Sequence, residues 1–156
     1  MAGNDPGGAA GPPARGLDRM ETWMALMFLN GGGMRGGPVH QHIAGVPLIG
    51  EARTAPLYRF YSIRDEYPGL YPADREPTEG HSILGELYDV PMPLLRTLLA
   101  SEPPELELSI VELARGQLSF SMILRDEERR QGGYTDISQY GGWRAYRAAL
   151  GDPAGA

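Results

Sequence analysis

The chain has 156 residues, of which 42% are hydrophobic, and its 20 acidic and 14 basic side chains give a net charge of −6. This length suits one globular domain with its own core. No apolar run approaches the roughly 20 residues that span a membrane, no secretory signal is expected, and the acidic balance argues against a nucleic-acid surface. Cysteine and lysine are absent, which excludes disulfides, thiolate sites and lysine Schiff bases. A cytoplasmic location is therefore the expectation.

The first segment, residues 1–20, is rich in Gly, Ala and Pro and has no periodic apolar positions. Such a composition cannot bury enough surface to offset the entropy lost on ordering, so a disordered tail is predicted. The rest of the sequence divides into one domain over residues 21–150 and a short C-terminal tail over residues 151–156.

The most apolar run, residues 23–29, predicts a buried strand, and a glycine-rich stretch over residues 30–38 follows it. Glycine accepts positive φ and lets other groups approach the backbone, and consecutive free amides can form a concave nest for a carboxylate. At least one of Gly31, Gly32 and Gly33 is then expected at positive φ. The alternative interpretation is a flexible linker between two strands.

The middle of the chain predicts mainly strands. A short helical turn over residues 39–43 precedes predicted strands over residues 49–53 and 57–63, where aromatic residues favour β structure. Residues 65–80 are rich in proline and glycine and predict a loop, part of which could pair at a sheet edge. Residues 81–90 predict a further strand, in which Gly85 marks a bulge or a close approach.

A leucine-rich helix is predicted next, starting at residues 91–93 and ended by Pro103 and Pro104. Residues 106–113 and 118–124 then predict a hairpin. The charged residues that follow predict a solvated loop up to Gly133.

A last helix is predicted to hold Trp143 and Tyr146, with Asp136 or Ser138 as its cap. The total is six or seven strands and two helices. This is an α+β pattern, interpreted as a mixed sheet curled towards a barrel.

Two glutamates are candidate acid–base groups. Glu102 follows the leucine-rich helix, and apolar surroundings raise the pKa of a carboxyl towards the range of a general base; the alternative is an exposed glutamate at a helix end. Glu86 shares a strand face with Leu84 and Tyr88. It therefore lies either at a pocket mouth or in solvent.

The three histidines are His40, His42 and His81. A His-x-His pair can bind a metal but needs a third ligand from elsewhere, and a loop histidine is more often solvated, so no metal site is predicted. A Ser-His-Asp triad is left without support because the sequence has no Gly-x-Ser-x-Gly elbow.

Several motifs occur in a recognisable order: the apolar strand with its glycine loop, Thr-Ala-Pro-x-Tyr-Arg from Thr54, Pro-Gly-Leu from Pro68, Gly-Glu-Leu-Tyr from Gly85, and Asp-Ile-x-x-Tyr-Gly-Gly-Trp-Arg-Ala-Tyr from Asp136. Together they resemble the γ-glutamylcyclotransferase-like superfamily and, within it, the C-terminal domain of allophanate hydrolase. The resemblance covers about residues 23–150. The amidase domain that precedes this module in allophanate hydrolase is absent, so a stand-alone version is expected.

The resemblance implies a small mixed β-barrel with peripheral helices, a pocket at the glycine loop and no cofactor. In cyclotransferases the loop amides hold the substrate, a glutamate near the end of the following helix moves the proton, and the substrate amine attacks its own γ-carbonyl to give 5-oxoproline. Glu102 matches that glutamate by position, whereas the allophanate hydrolase branch usually has an apolar residue there.

Two departures from these patterns leave the substrate open. The loop lacks the tyrosine and hydroxyl of the cyclotransferase motif, and residues 38–43 fit the allophanate hydrolase motif only with a one-residue deletion. That branch is thought to decompose a carboxylated carbamate to ammonia and carbon dioxide, for which His40 or His42 would assist. A non-catalytic module that partners an amidase is a third interpretation.

The sequence thus predicts a site for a small molecule carrying a carboxylate or amide. The candidate catalytic residues are Glu102, His40 and Glu86. The candidate ligand-binding residues are Asn30, Gly31, Gly32, Gly33, Met34, Arg35 and Tyr88. A second copy of the chain and an amidase are the partners left open, with no nucleic acid, membrane, metal or cofactor expected.

Overall fold

The structure, a computed structural model, describes residues 23–152. The predicted tail over residues 1–20 and the final residues 153–156 lie outside the described residues. The strands are β1 (Met24–Leu29), β2 (Leu48–Arg53), β3 (Tyr58–Ile63), β4 (Tyr67–Pro72), β5 (Leu84–Pro91), β6 (Leu106–Glu112), β7 (Leu118–Leu124) and β8 (Thr135–Asp136). The helices are α1 (Met92–Ala100), α2 (Asp126–Gln131) and α3 (Trp143–Ala149), with 3₁₀ turns at His40–Ile43, Ala73–Arg75 and Ser138–Tyr140.

All eight strands belong to one mixed sheet in the order β2-β5-β1-β7-β4-β3-β8, with β6 paired to β7. β6 runs antiparallel along the full length of β7. β1 and β4 both run parallel to β7, but they meet it at different places, β1 at Phe120 and β4 at Ile123. The sheet therefore divides at β7 into two arms.

The predicted α+β class is confirmed, but the predicted barrel is wrong. The outer strands of the two arms, β2 and β8, do not pair with each other in the described part of the chain. β8 is only two residues long and pairs with β3 alone, so it cannot extend the sheet to closure. The sheet is consequently open.

The predicted loop over residues 65–80 is correct only in part, because residues 67–72 form β4, which lies inside the sheet and not at its edge, and residues 68–71 are buried. The Ala73 N–H donates to the Leu57 carbonyl at 2.8 Å. By antiparallel alternation the odd-numbered residues of β4 direct their N–H groups to β3. Pro68 and Pro72 stand at even positions, where the missing N–H would point away from β3, so this strand tolerates both prolines.

The predicted solvated loop after β7 is also wrong in part, because it contains α2. Three acidic residues occupy the first turn of α2 and two arginines occupy its last turn. This distribution matches the helix dipole, which favours negative charge at the N-terminus and positive charge at the C-terminus.

The core lies between the sheet and the helices that flank it. Leu95 and Leu98 of α1 are buried, as the predicted leucine stripe requires. A Cβ at Gly85 would lie 2.5 Å from the Leu29 carbonyl oxygen, which confirms the close approach predicted there. None of the helices over residues 23–152 has the length and apolarity needed to cross a bilayer.

The last helix begins differently from the prediction. Asp136 Oδ1 accepts hydrogen bonds from the Ser138 N–H at 2.9 Å and the Ser138 hydroxyl at 2.6 Å. Asp136 therefore binds the first residue of the 3₁₀ turn before α3, while α3 itself starts after Gly142 with no side-chain cap. Trp143 and Tyr146 are buried.

Candidate functional site

A cavity of about 230 Å³ lies where β1 and β4 separate along β7. The end of β1 and the glycine loop, defined here as residues 30–38, form one wall of this cavity. Tyr67 and Pro68 of β4, Ser121 and Met122 of β7, and the segment after α1 complete it. The division of the sheet at β7 therefore creates the space for a ligand.

The three loop glycines, Gly31, Gly32 and Gly33, line the cavity. Their carbonyl groups accept hydrogen bonds, whereas their amides have no acceptor in the described part of the chain. The Gly31 carbonyl accepts from the Met34 N–H at 3.0 Å, and the Gly32 carbonyl accepts from the Val39 N–H at 3.1 Å. The Gly33 carbonyl accepts from His40 Nδ1 at 2.9 Å. The N–H groups of these glycines donate to no acceptor within residues 23–152.

The prediction of positive φ among the three loop glycines is wrong. Within the loop, positive φ occurs at Gly36, where φ is 85°. The chain reverses there, and a Cβ at the next residue, Gly37, would lie 2.1 Å from the Gly32 carbonyl oxygen. Gly31 is required for a different close approach, since its Cβ would lie 2.5 Å from Cδ of Pro68. The loop is thus a folded turn held by specific contacts.

Two buried polar side chains, Asn30 and Ser121, add to the cavity. Asn30 Nδ2 donates to Ser121 Oγ at 3.4 Å, and Ser121 Oγ donates to the Phe28 carbonyl at 2.8 Å. Sequence reasoning identified Asn30 but missed Ser121. The available signal was a pair of serines two residues apart in an otherwise apolar strand, since Ser119 binds the Leu26 carbonyl in the same way at 3.0 Å.

Glu102 lies in the cavity wall directly after α1. Its side chain is half-buried and makes no hydrogen bond or ion pair with any described residue. Burial raises the pKa of Glu102 to about 7, because removing the carboxyl from water disfavours its charged form. A carboxyl with this pKa can both take up and release a proton near neutral pH.

Glu86 is completely buried and paired. Its Oε1 accepts from the Arg35 N–H at 2.7 Å and from the Tyr88 hydroxyl at 3.1 Å, and its Oε2 accepts from Arg35 Nε at 2.8 Å. Arg144 Nη2 lies 3.5 Å from Oε1. Burial alone would raise the pKa of Glu86, but the bonds from Arg35, the charge of Arg144 and the Tyr88 hydroxyl outweigh it and hold that pKa below its usual range.

The predicted site residues therefore fall into two groups that meet at the glycine loop. Glu102, Asn30 and the three loop glycines line the cavity. Glu86, Arg35 and Tyr88 lie outside the lining and, with Arg144, form what we name the anchor cluster. Met34 is buried in the core, and His40 supports the Gly33 carbonyl from outside the cavity lining.

The fold is similar to that of a γ-glutamylcyclotransferase-like protein of low sequence identity, in line with the fold that the sequence motifs suggested. An AIG2-like protein from Mus musculus superposes with a TM-score of 0.52 at 20% identity, covering 69% of this chain and 83% of that protein. At this identity the likeness concerns the fold alone. Residues 25–148 match the family model of the allophanate hydrolase C-terminal domain, and the chain belongs to that family.

Two further relatives show how the module is distributed. The chain is 29% identical to urea amidolyase of Saccharomyces cerevisiae over 120 residues, which is 74% of this chain but only 6% of the yeast protein. A protein specific to uropathogenic Escherichia coli superposes with a TM-score of 0.72 at 28% identity, covering 80% of this chain and 96% of that one. The same fold thus occurs within a much longer relative and across nearly all of a short one.

Proposed function

We propose that this domain is a small-molecule enzyme of cyclotransferase type, which acts on an amide or carbamate by proton transfer through Glu102. The observation that carries the proposal is the meeting in one cavity of two complementary features. One is a half-buried carboxyl whose pKa is raised to about 7. The other is a row of three free backbone amides at Gly31, Gly32 and Gly33.

In the proposed reaction the loop amides bind the carboxylate of the substrate or the oxyanion that forms at its carbonyl. Glu102 takes the proton from the attacking amine as a new bond forms between that nitrogen and the carbonyl carbon. Glu102 then returns the proton to the leaving nitrogen as the original C–N bond breaks. For a γ-glutamyl amide the products are a lactam and a free amine, and the carboxyl ends in its starting state.

The cavity favours a small ligand. Its volume of about 230 Å³ lies below the roughly 300–1,000 Å³ of typical drug-sized pockets. None of the described residues that line it is basic. An anionic group would therefore depend on the loop amides for its binding, with no neighbouring cation to share that role.

The test is the variant Glu102→Gln, which keeps the side-chain shape and removes the acid–base group. The assay follows 5-oxoproline release from γ-glutamyl amides and ammonia release from carboxylated carbamates. Turnover should fall by about two orders of magnitude, the usual scale of general acid–base catalysis. Glu127→Gln is the matched control, because Glu127 is exposed on α2 and lies outside the cavity lining. Unchanged turnover in Glu102→Gln would remove the assignment.

Membership of the allophanate hydrolase C-terminal domain family favours a second candidate, the decomposition of a carboxylated amine. His40 and His42 are the histidines available near the loop. Loss of ammonia release in His40→Ala or His42→Ala, with full activity in Glu102→Gln, would select this reaction. A stable complex with an amidase and no turnover of any substrate would instead select a binding module.

A further inference from the structure

The glycine loop needs external support to hold its backbone in one conformation. Five of the seven residues from Gly31 to Gly37 are glycines. Glycine gives up more backbone freedom on ordering than any other residue. The loop therefore holds a defined shape only where other parts of the chain fix it.

Arg35, between the two groups of loop glycines, is held at three of its polar groups. Glu86 on β5 accepts from its N–H at 2.7 Å and from its Nε at 2.8 Å. Arg144 on α3 donates through Nη2 to its carbonyl at 2.8 Å. These partners lie 51 and 109 residues away along the chain, so Arg35 ties the loop to two separate elements.

We propose that Glu86 and Arg144 are positioning residues, which orient the amides of the three loop glycines by holding Arg35. The inference rests on the proposed ligand-binding role of the loop. It assigns a role to the anchor cluster, which lies outside the cavity lining, and to the arginine of the Gly-Gly-Trp-Arg motif. Neither residue touches a substrate in this account.

The exposure of Arg35 and Arg144 distinguishes a role in positioning the loop from a general contribution to the stability of the fold. Glu86 is completely buried, but the side chains of Arg35 and Arg144 are 55% and 35% exposed. Removing the Arg144 guanidinium deletes a hydrogen bond to the loop and one charge beside Glu86. Glu86 would still be paired with Arg35, and little packed surface would be lost. We expect the loss of this guanidinium to change the loop more than the stability of the domain.

The experiment uses the full ¹⁵N-labelled chain without ligand and follows the amide resonances and hydrogen exchange of the three loop glycines. Arg144→Ala should shift these resonances and speed their exchange, while the remote Gly116 stays unchanged. Arg147→Ala is the control, because Arg147 lies on the same helix and pairs with Asp152. Glu86→Gln should act in the same direction as Arg144→Ala.

Kinetics on the same variants provide the functional readout. Arg144→Ala should lower kcat/KM by about tenfold to a hundredfold, the range for a misplaced binding group, with a melting temperature close to that of Arg147→Ala. Arg144→Lys should recover part of the loss, because a lysine amine can still donate one bond to the Arg35 carbonyl.

Loop resonances that stay unchanged in both Arg144→Ala and Glu86→Gln would overturn the inference, whatever the enzyme turns over. Equal shifts in Arg147→Ala, or shifted resonances with unaltered kcat and KM in an active enzyme, would overturn it as well. Shifted resonances in a protein that turns over none of the tested amides or carbamates would support the positioning role and remove the proposed reaction.

Discussion

The glycine loop lies between two buried or half-buried glutamates whose pKa values are shifted in opposite directions. Glu102, on the cavity side, is half-buried with no partner among the described residues, and its pKa is raised to about 7. Glu86, in the anchor cluster, is completely buried, yet its pKa lies below the usual range. Desolvation disfavours the charge of both carboxyls, and the donors around Glu86 reverse its effect.

This difference teaches that depth alone does not make a carboxyl useful for proton transfer. A buried carboxyl exchanges protons near neutral pH when no donor is bonded to it, and among residues 23–152 none is bonded to Glu102. Arg35, Tyr88 and Arg144 supply such donors to Glu86, which fix it in the charged form. The same residue type thus serves the proposed chemistry in one place and the architecture of the loop in the other.

Among the variants that test this comparison, Gly31→Ala, on the cavity side of the glycine loop, should cause the largest loss of kcat/KM. The new Cβ would lie 2.5 Å from Cδ of Pro68, so the loop and β4 must move apart. A displacement of this kind near reacting groups costs about a hundredfold in rate. Gly50→Ala is the control, since nothing lies within 4 Å of its Cβ position. Equal kcat/KM in the two variants would contradict the loop's role in binding.

The pH profile should distinguish the two glutamates next. If Glu102 acts as a base in the free enzyme, kcat/KM should rise by about tenfold per pH unit below neutrality and level off above about pH 7. Glu102→Gln should abolish this inflection. Glu86→Gln should lower kcat/KM but leave the inflection at the same pH. An inflection that survives in Glu102→Gln would assign it to another group.

Stability should respond to pH with opposite signs at the two positions. The raised pKa of Glu102 lets the folded state keep a proton that the unfolded state releases, so this contribution is lost as pH rises through about 7. The lowered pKa of Glu86 gives a contribution that is lost as pH falls below the usual carboxyl range. The melting temperature of Glu102→Gln minus that of the wild type should therefore increase by a few degrees as pH is raised from 5 to 8. The melting temperature of Glu86→Gln should fall least below that of the wild type at acidic pH. If the melting temperatures of both variants changed with pH in the same way, the contrast between the two glutamates would be contradicted.

The smallest effect is expected for Gly32→Ala. Its backbone is not at positive φ, and the added Cβ would meet the Pro38 ring at 3.3 Å, a contact that a slight movement relieves. Affinity for 5-oxoproline, measured by titration calorimetry, should fall only a few-fold, with little change in melting temperature. A loss as large as that of Gly31→Ala would mean that the amide of Gly32 dominates binding.

Much of the fold was predictable because its signals are local. The apolar run before the glycines, the leucine stripe of α1 and the hairpin of β6 and β7 each depend on neighbours in sequence. β4 was predicted only as part of a loop that could pair at a sheet edge, because its prolines, Pro68 and Pro72, are tolerated only through the direction of the missing N–H groups relative to β3. The open sheet was missed because closure depends on whether the outer strands β2 and β8 pair with each other, and in the described part of the chain they do not.

The site was predictable to a similar extent. Glu102 was identified from the apolar helix before it and from the family resemblance, and its catalytic role stays a proposal. The surroundings of Glu86 could not be predicted, since Arg35 and Arg144 reach it from distant parts of the chain. Strand alternation correctly placed Glu86 and Tyr88 on one face, but it could not show which groups cover that face.

The central claim is that the two glutamates differ in protonation because, among the described residues, donors are bonded to Glu86 and none to Glu102. It is tested most directly by a ¹³C NMR titration of both side-chain carboxyls. The account predicts that Glu102 titrates near pH 7 and that Glu86 titrates below the usual carboxyl range. In Arg35→Ala, the pKa of Glu86 should rise while that of Glu102 stays in place. A Glu102 carboxyl that titrates like an exposed glutamate, or two carboxyls with the same pKa, would contradict the account.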